Sequence, residues 1–246
     1  MSQTSSGGDS DVLDEAEAVT DWQRRVVGRS LKTAKKRSID RGAALIRAAA
    51  VLLERSNGDS FGVQDVADEA GQSLRTLYQY FESKDDLLLA LFEESMRTYA
   101  RLIRAAIAGF DDPLERLAAA IVAMARIPEQ HRTGVDRGLA RVRLKLGEAE
   151  PELVARSQEP VTSIFRDLVA GAAGAGQIRA GDPEEAAYLI AALNEAYVTC
   201  QVLGNDVGLR IPDAVELASF HLRGLGAEVD RAWLDRLVLD LDLPAT

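Results

Sequence analysis

The chain holds one cysteine, Cys200, and two histidines, His131 and His221, in 246 residues. A single thiol excludes an internal disulfide framework and suits a reducing compartment, so a cytoplasmic protein is expected. The two histidines are far apart, and no second cysteine accompanies Cys200. No metal-ligand spacing and no nucleophile–base pair can be read from them, so the expectation is a non-enzyme with no metal and no cofactor. Aromatic residues are only 5% of the chain, and β-branched runs are few. No uninterrupted apolar run approaches the roughly 20 residues that cross a bilayer. The N-terminus is polar and acidic, unlike a secretory leader.

What remains is rich in alanine and 47% hydrophobic, enough for a sizeable core. Such a composition favours an all-α chain. The net charge of −10 argues against a protein that coats nucleic acid indiscriminately. It leaves room for a regulator, because DNA binding depends on where positive charge lies.

The informative stretch is 61–84, FGVQDVADEAGQSLRTLYQYFESK. Val63, Val66, Ala67 and Ala70 recur at helical spacing. Gly71 breaks the pattern where the chain must turn, and Ser73 stands where its hydroxyl can cap a second helix. Leu77 and Phe81, four apart, face inward. The rest of this short helix displays Leu74, Arg75, Thr76, Tyr78, Gln79 and Tyr80. Arginine can bind guanine bidentately, and glutamine can do the same with adenine. Two short helices around a tight corner, with a polar and aromatic outer face, describe a helix-turn-helix.

The run 41–88 resembles the DNA-binding domain of the TetR (tetracycline repressor) regulators. The residues that carry the resemblance are Ala49, Asp65-Val66-Ala67, Ala70-Gly71, Ser73, Thr76-Leu77-Tyr78, Tyr80-Phe81, Ser83-Lys84 and Leu87-Leu88. The resemblance implies base contacts at Gln64, Arg75 and Gln79, and phosphate contacts at Thr76, Tyr78, Tyr80 and Lys84. Two positions depart from the family pattern. Gln72 replaces a usually apolar residue, and Arg75 replaces a usually small one, which suits a different operator sequence. Read without the resemblance, Tyr78 and Tyr80 could equally pack on the first helix, and Lys84 could be a solvated first-turn residue.

The expected organisation is threefold. Residues 1–37 form a disordered arm, acidic and then basic. Within it Lys35, Lys36 and Arg37 are either a solvated tail or an arm that reaches DNA. Residues 38–88 form the helix-turn-helix domain, opening on a helix capped by Ser38. Residues 89–246 form an effector-binding and dimerisation domain. Its helices are expected at 84–109, 113–127, 135–146, 151–175, 183–203, 212–225 and 230–239. Pro128 should end one helix and leave His131 in a loop, while Pro160 should bend or break another. In total the chain should build about nine or ten helices.

A two-turn reading helix covers only a few base pairs, so a homodimer is expected on a palindromic operator. The resemblance places its interface on the last two long helices, about 183–203 and 212–225. Candidate contacts are Ala186, Ala187, Ala191, Ala192 and Ala196 on one, and Val215, Leu217, Ala218, Phe220, Leu222 and Leu225 on the other. The chain is expected to be a repressor, released from its operator by a small, largely apolar effector in the C-terminal half, with Tyr99, His131, Asn194 and Tyr197 as candidate polar anchors. By family resemblance the helix over 84–109 would link the two halves. The competing reading is a helical protein-binding adaptor or an effector sensor that has no DNA binding.

Overall fold

A proline-free run from 21 to 55, rich in Arg, Lys, Leu and Ala, has little to stop a helix. In the computed structural model it forms one helix, α1 (Asp21–Arg55). The structure describes residues 21–131, 134–204, 210–241 and 243. The expectation that a helix begins at a Ser38 cap is corrected, because Ser38 lies inside α1. Residues 21–37, expected to be disordered, are helical, and the acidic segment before them lies outside the described residues.

Contacts divide the chain inside α1, into 1–44 and 45–246. In the first unit the α1 side chains from 29 to 41 are exposed, including Leu31 and Ile39. In the second unit the last turns of α1 bury Leu45, Ala48, Ala49 and Leu53.

After α1 come α2 (Val63–Glu69), α3 (Leu74–Tyr80) and α4 (Lys84–Ala106). The remaining helices are α5 (Pro113–His131), α6 (Gly134–Ala149), α7 (Pro151–Gly174), α8 (Pro183–Leu203), α9 (Ala214–Gly224) and α10 (Arg231–Asp240). Among the described residues the fold is all-α, with no strand.

α5 is the axle of the larger bundle. Residues 117 to 123 are consecutive, apolar and fully buried, so the helix presents no solvent face there. It packs against α4, α7, α8, α9 and α10. Asp112 caps its start, accepting from the Leu114 and Glu115 amides at 2.9 and 3.0 Å. Pro128 does not end α5 as expected. Ile127 and Pro128 are buried, and that packing holds the final turn despite the missing backbone donor. α7 likewise continues through Pro160 without a break.

α8 is long and apolar enough, by composition, to cross a membrane. Here it packs on α5, α6 and α7 within the bundle. Its N-cap is Asp182, and Gly204 closes it with φ +70°, a left-handed conformation that a side chain would strain.

Candidate DNA-reading face and effector cavity

The corner between α2 and α3 follows from three residues. Gly71 adopts φ +63°. Around it the Gln72 amide donates to the Ala67 carbonyl at 2.8 Å and the Gly71 amide to the Asp68 carbonyl at 3.1 Å. This is the crossed pair of bonds that ends a helix on a left-handed glycine. Ser73 then caps α3, accepting from the Thr76 amide at 3.0 Å. Leu77 is fully buried and Phe81 nearly so, which anchors the helix. Arg55 ties the end of α1 to α2 through Glu69 at 2.6 Å.

With Leu77 and Phe81 turned inward, Arg75 and Gln79 share the outer face, four residues apart. Tyr78 stands beside them, 50% exposed. Gln64 on α2 is exposed and donates to Asp68 at 2.8 Å. Thr76 is half-buried, its hydroxyl paired with that of Ser73 at 2.8 Å. Tyr80 is half-buried and packs against the core. Lys84 is engaged within the chain: its ammonium donates to the Phe61 carbonyl and lies 4.6 Å from the centre of the Phe61 ring. Of the seven positions with an implied DNA role, Gln64, Arg75, Tyr78 and Gln79 are therefore the open ones. Lys35, Lys36 and Arg37 are exposed on α1.

A second feature is an open-mouthed cavity of about 340 Å³ lined by α4, α5, α6, α7 and α8. Phe92, Met96, Met124, Leu139, Val154 and Val198 supply apolar wall. Of the three candidate anchors among the described side chains, only Tyr99 lines it. Its hydroxyl donates to Asp136 on α6. Burial first, then the Asp136 charge and hydrogen bond, push the Tyr99 hydroxyl well above its ordinary pKa, so it stays protonated at neutral pH. Asn194 is fully buried away from the cavity, bonded to the Ile190 carbonyl at 3.0 Å and facing His221 at 3.3 Å. Tyr197 is also away from the wall and accepts from Gln201 at 2.5 Å. The side chain of His131 lies outside the described residues.

Sequence reasoning missed the most polar part of this cavity. Arg143 on α6 is ion-paired with Glu195 on α8, and Gln158 on α7 donates to the same carboxylate at 3.0 Å. Burial lowers the Arg143 pKa from its ordinary value. The available signal was Glu195 itself, the only charged residue between 186 and 203. A lone charge on an apolar helix is expected to be paired when buried.

α6 joins the cavity to the turn after α1 and to the start of α4. One side carries Asp136, Leu139 and Arg143 into the cavity. The other carries Arg137, Arg141 and Lys145, spaced by one turn each. Arg137 donates to the Asn57 side chain and Arg141 to the Gly58 carbonyl at 2.8 Å. Lys145 reaches Asp85 at 2.7 Å, at the start of α4.

Two further side chains are exposed on α8, Tyr188 and Leu189, and one on α9, Phe220. Among the proposed dimer residues, Ala192 and Ala196 are exposed, whereas Ala186, Ala187, Val215, Leu217, Ala218 and Leu222 are buried within the chain itself.

Together the corner, the capped α3 and the helical bundle define an all-α chain that carries a helix-turn-helix. Residues 45–91 match the model for bacterial regulatory proteins of the tetR family. Residues 45–91 therefore form a helix-turn-helix segment of the tetR family type. Over 91 residues it is 36% identical to the HTH-type transcriptional regulator EthR of Mycolicibacterium smegmatis, covering 37% of this chain and 39% of that protein. It is also 36% identical over 83 residues to the HTH-type transcriptional activator FasR of the same organism, covering 34% and 37%. The matched region thus spans about two fifths of the length of these curated relatives. Among solved structures, RolR bound to resorcinol aligns with a TM-score of 0.65 at 19% identity, covering 86% of this chain and 98% of RolR. FadR of Bacillus subtilis bound to stearoyl-CoA aligns with a TM-score of 0.58 at 24% identity, covering 76% and 99%. At these identities the structural likeness speaks to the fold.

Proposed function

We propose that this chain is a cytoplasmic, ligand-responsive transcriptional regulator that binds a palindromic DNA operator as a homodimer and leaves it when a small, largely apolar effector occupies the cavity. The observation that carries the reading is the outer face of α3, where Arg75, Tyr78 and Gln79 stand exposed over a buried Leu77 anchor. Arg75 and Gln79 on α3 and Gln64 on α2 read bases and Tyr78 takes a phosphate, while Thr76, Tyr80 and Lys84 reach phosphates only by giving up their present contacts within the chain. Lys35, Lys36 and Arg37 add phosphate contacts from α1. Residues 38–88 serve DNA and residues 89–246 serve effector and dimer.

Dimerisation through α8 and α9 is supported by the exposed apolar side chains of Tyr188, Leu189 and Phe220. The effector reading is supported by the mostly apolar cavity and by two ligand-bound structures of like fold, with resorcinol and with stearoyl-CoA. Occupancy shifts α6, and α6 carries the shift to the 53–61 segment and to Asp85 at the start of α4. A ligand releases DNA only by the difference in its affinity for the two arrangements. One related regulator is an activator, so the sign of control is part of the proposal, and here it is repression relieved by the effector.

The test is selection of bound sites from random duplexes with the purified protein, followed by gel shift. A symmetric site is expected, with affinity that falls as salt rises and is lost in Arg75→Ala/Gln79→Ala. Failure to retain any duplex would favour the adaptor or sensor reading.

A further inference from the structure

Three charged side chains line the effector cavity: Asp136, Arg143 and Glu195. Two are carboxylates, and among the described residues Arg143 is the one cation of the wall. That cation is already committed. Its guanidinium is paired with Glu195, and the pair bridges α6 to α8. Gln158 holds the same carboxylate from α7 at 3.0 Å, so three helices converge on Glu195. The Glu195 side chain is only 17% exposed. A ligand anion that took Arg143 would leave Glu195 partly buried with one amide donor, and removing one partner of a buried pair is the costly way to break it. An uncharged hydroxyl makes no such demand. It can bond to Thr162, Thr199 or the Tyr99 oxygen, all on the cavity wall, with the ion pair intact.

We propose that Glu195 is a built-in counter-ion that reserves Arg143, so that the cavity takes uncharged amphiphiles, such as phenols or alcohols on an apolar body, and rejects those whose polar end is a carboxylate. The inference rests on reading the cavity as the effector site. It names the class of effector and makes Glu195 the residue that sets it.

The experiment is calorimetric titration of the full chain with 4-phenylbutan-1-ol and with 4-phenylbutanoate, two probes that share an apolar body. The wild type is expected to bind the alcohol and to bind the carboxylate at least about tenfold more weakly. Glu195→Gln frees the guanidinium and is expected to raise carboxylate affinity about tenfold while leaving the alcohol within about twofold. Arg143→Gln added to that variant should abolish the gain. A carboxylate that binds the wild type as well as the alcohol does, or a folded Glu195→Gln protein with an unchanged ratio, overturns the proposal. Should Glu195→Gln fail to fold, the charge-neutral Arg143→Gln/Glu195→Gln variant decides: wild-type selectivity must survive it, and a further loss of carboxylate binding shows that Arg143 was available to anions. Failure of both probes to bind any variant overturns the effector-site reading and this proposal with it. Alcohol binding that Ala191→Trp blocks, without the Glu195 effect, overturns this proposal alone.

Discussion

Gly138 of α6 lies so close to Leu53 of α1 that a Cβ on the glycine would stand 2.7 Å from the Leu53 Cδ2. One turn earlier, a Cβ on Gly134 would stand 2.8 Å from the Glu54 carbonyl oxygen and 2.9 Å from the Asn57 Cα. The two contacts differ in kind. Leu53 can turn its methyls away, whereas backbone cannot. Gly134→Ala should therefore destabilise the protein by about 1–3 kcal/mol, and Gly138→Ala by less. Urea unfolding midpoints for the two variants check the order. Equal midpoints, both at the wild-type value, would mean that α6 does not depend on this approach.

The cationic row of α6 should matter for communication more than for stability. The partners Arg141–Asp59 and Lys145–Asp85 are largely exposed, and such pairs contribute about 0–1 kcal/mol. Arg137→Ala/Arg141→Ala/Lys145→Ala should leave the global melting temperature nearly unchanged. Amide exchange in residues 53–61 should rise, because Gly58 loses a side-chain donor and Asn57 loses its arginine. Unchanged exchange there would separate α6 from the turn between α1 and α2.

Much of this architecture could be read from residue order alone. The corner at Gly71, the Ser73 cap and the inward pair Leu77 and Phe81 are local features, set by backbone angles and by spacing within one turn, and the structure has all of them. Boundaries failed where packing overrode a local signal. Pro128 should have ended α5, but its turn is buried. Ser38 is a good cap residue, yet nothing before it interrupts α1. The cavity was the least legible part, because its lining is contributed by five helices whose mutual placement no single helix encodes. Asn194 drew notice as a polar break in an apolar helix, while its neighbour Glu195 faces the cavity. One residue on a helix is a rotation of 100°.

Leu77 and Tyr78 are adjacent and should fail differently. Leu77 is fully buried, so Leu77→Ala should cost about 2–5 kcal/mol of stability and lose DNA binding only as a consequence. Tyr78 is half exposed, and Tyr78→Ala should stay within about 0.5 kcal/mol of the wild type while weakening operator binding. Paired measurement of thermal unfolding and operator affinity separates the two. Normal affinity in a folded Tyr78→Ala protein would remove Tyr78 from the DNA face.

The last prediction concerns acid. His221 is buried between α8 and α9 beside Asn194, and burial lowers its pKa from the ordinary 6.5 to about 4. The folded protein therefore holds this imidazole neutral while the unfolded chain would protonate it. Between pH 6.5 and 4 the unfolded state binds the extra proton, so stability rises with pH across that window and is lost as pH falls through it. A shift of that size corresponds to a contribution on the order of 3 kcal/mol at neutral pH that is progressively lost on acidification. His221→Gln has no proton to gain, so its stability should fall less steeply over the same range. Urea titrations at pH 7, 6, 5 and 4 check the slope. A variant whose stability falls in parallel with the wild type would place the acid sensitivity elsewhere, among the carboxylates.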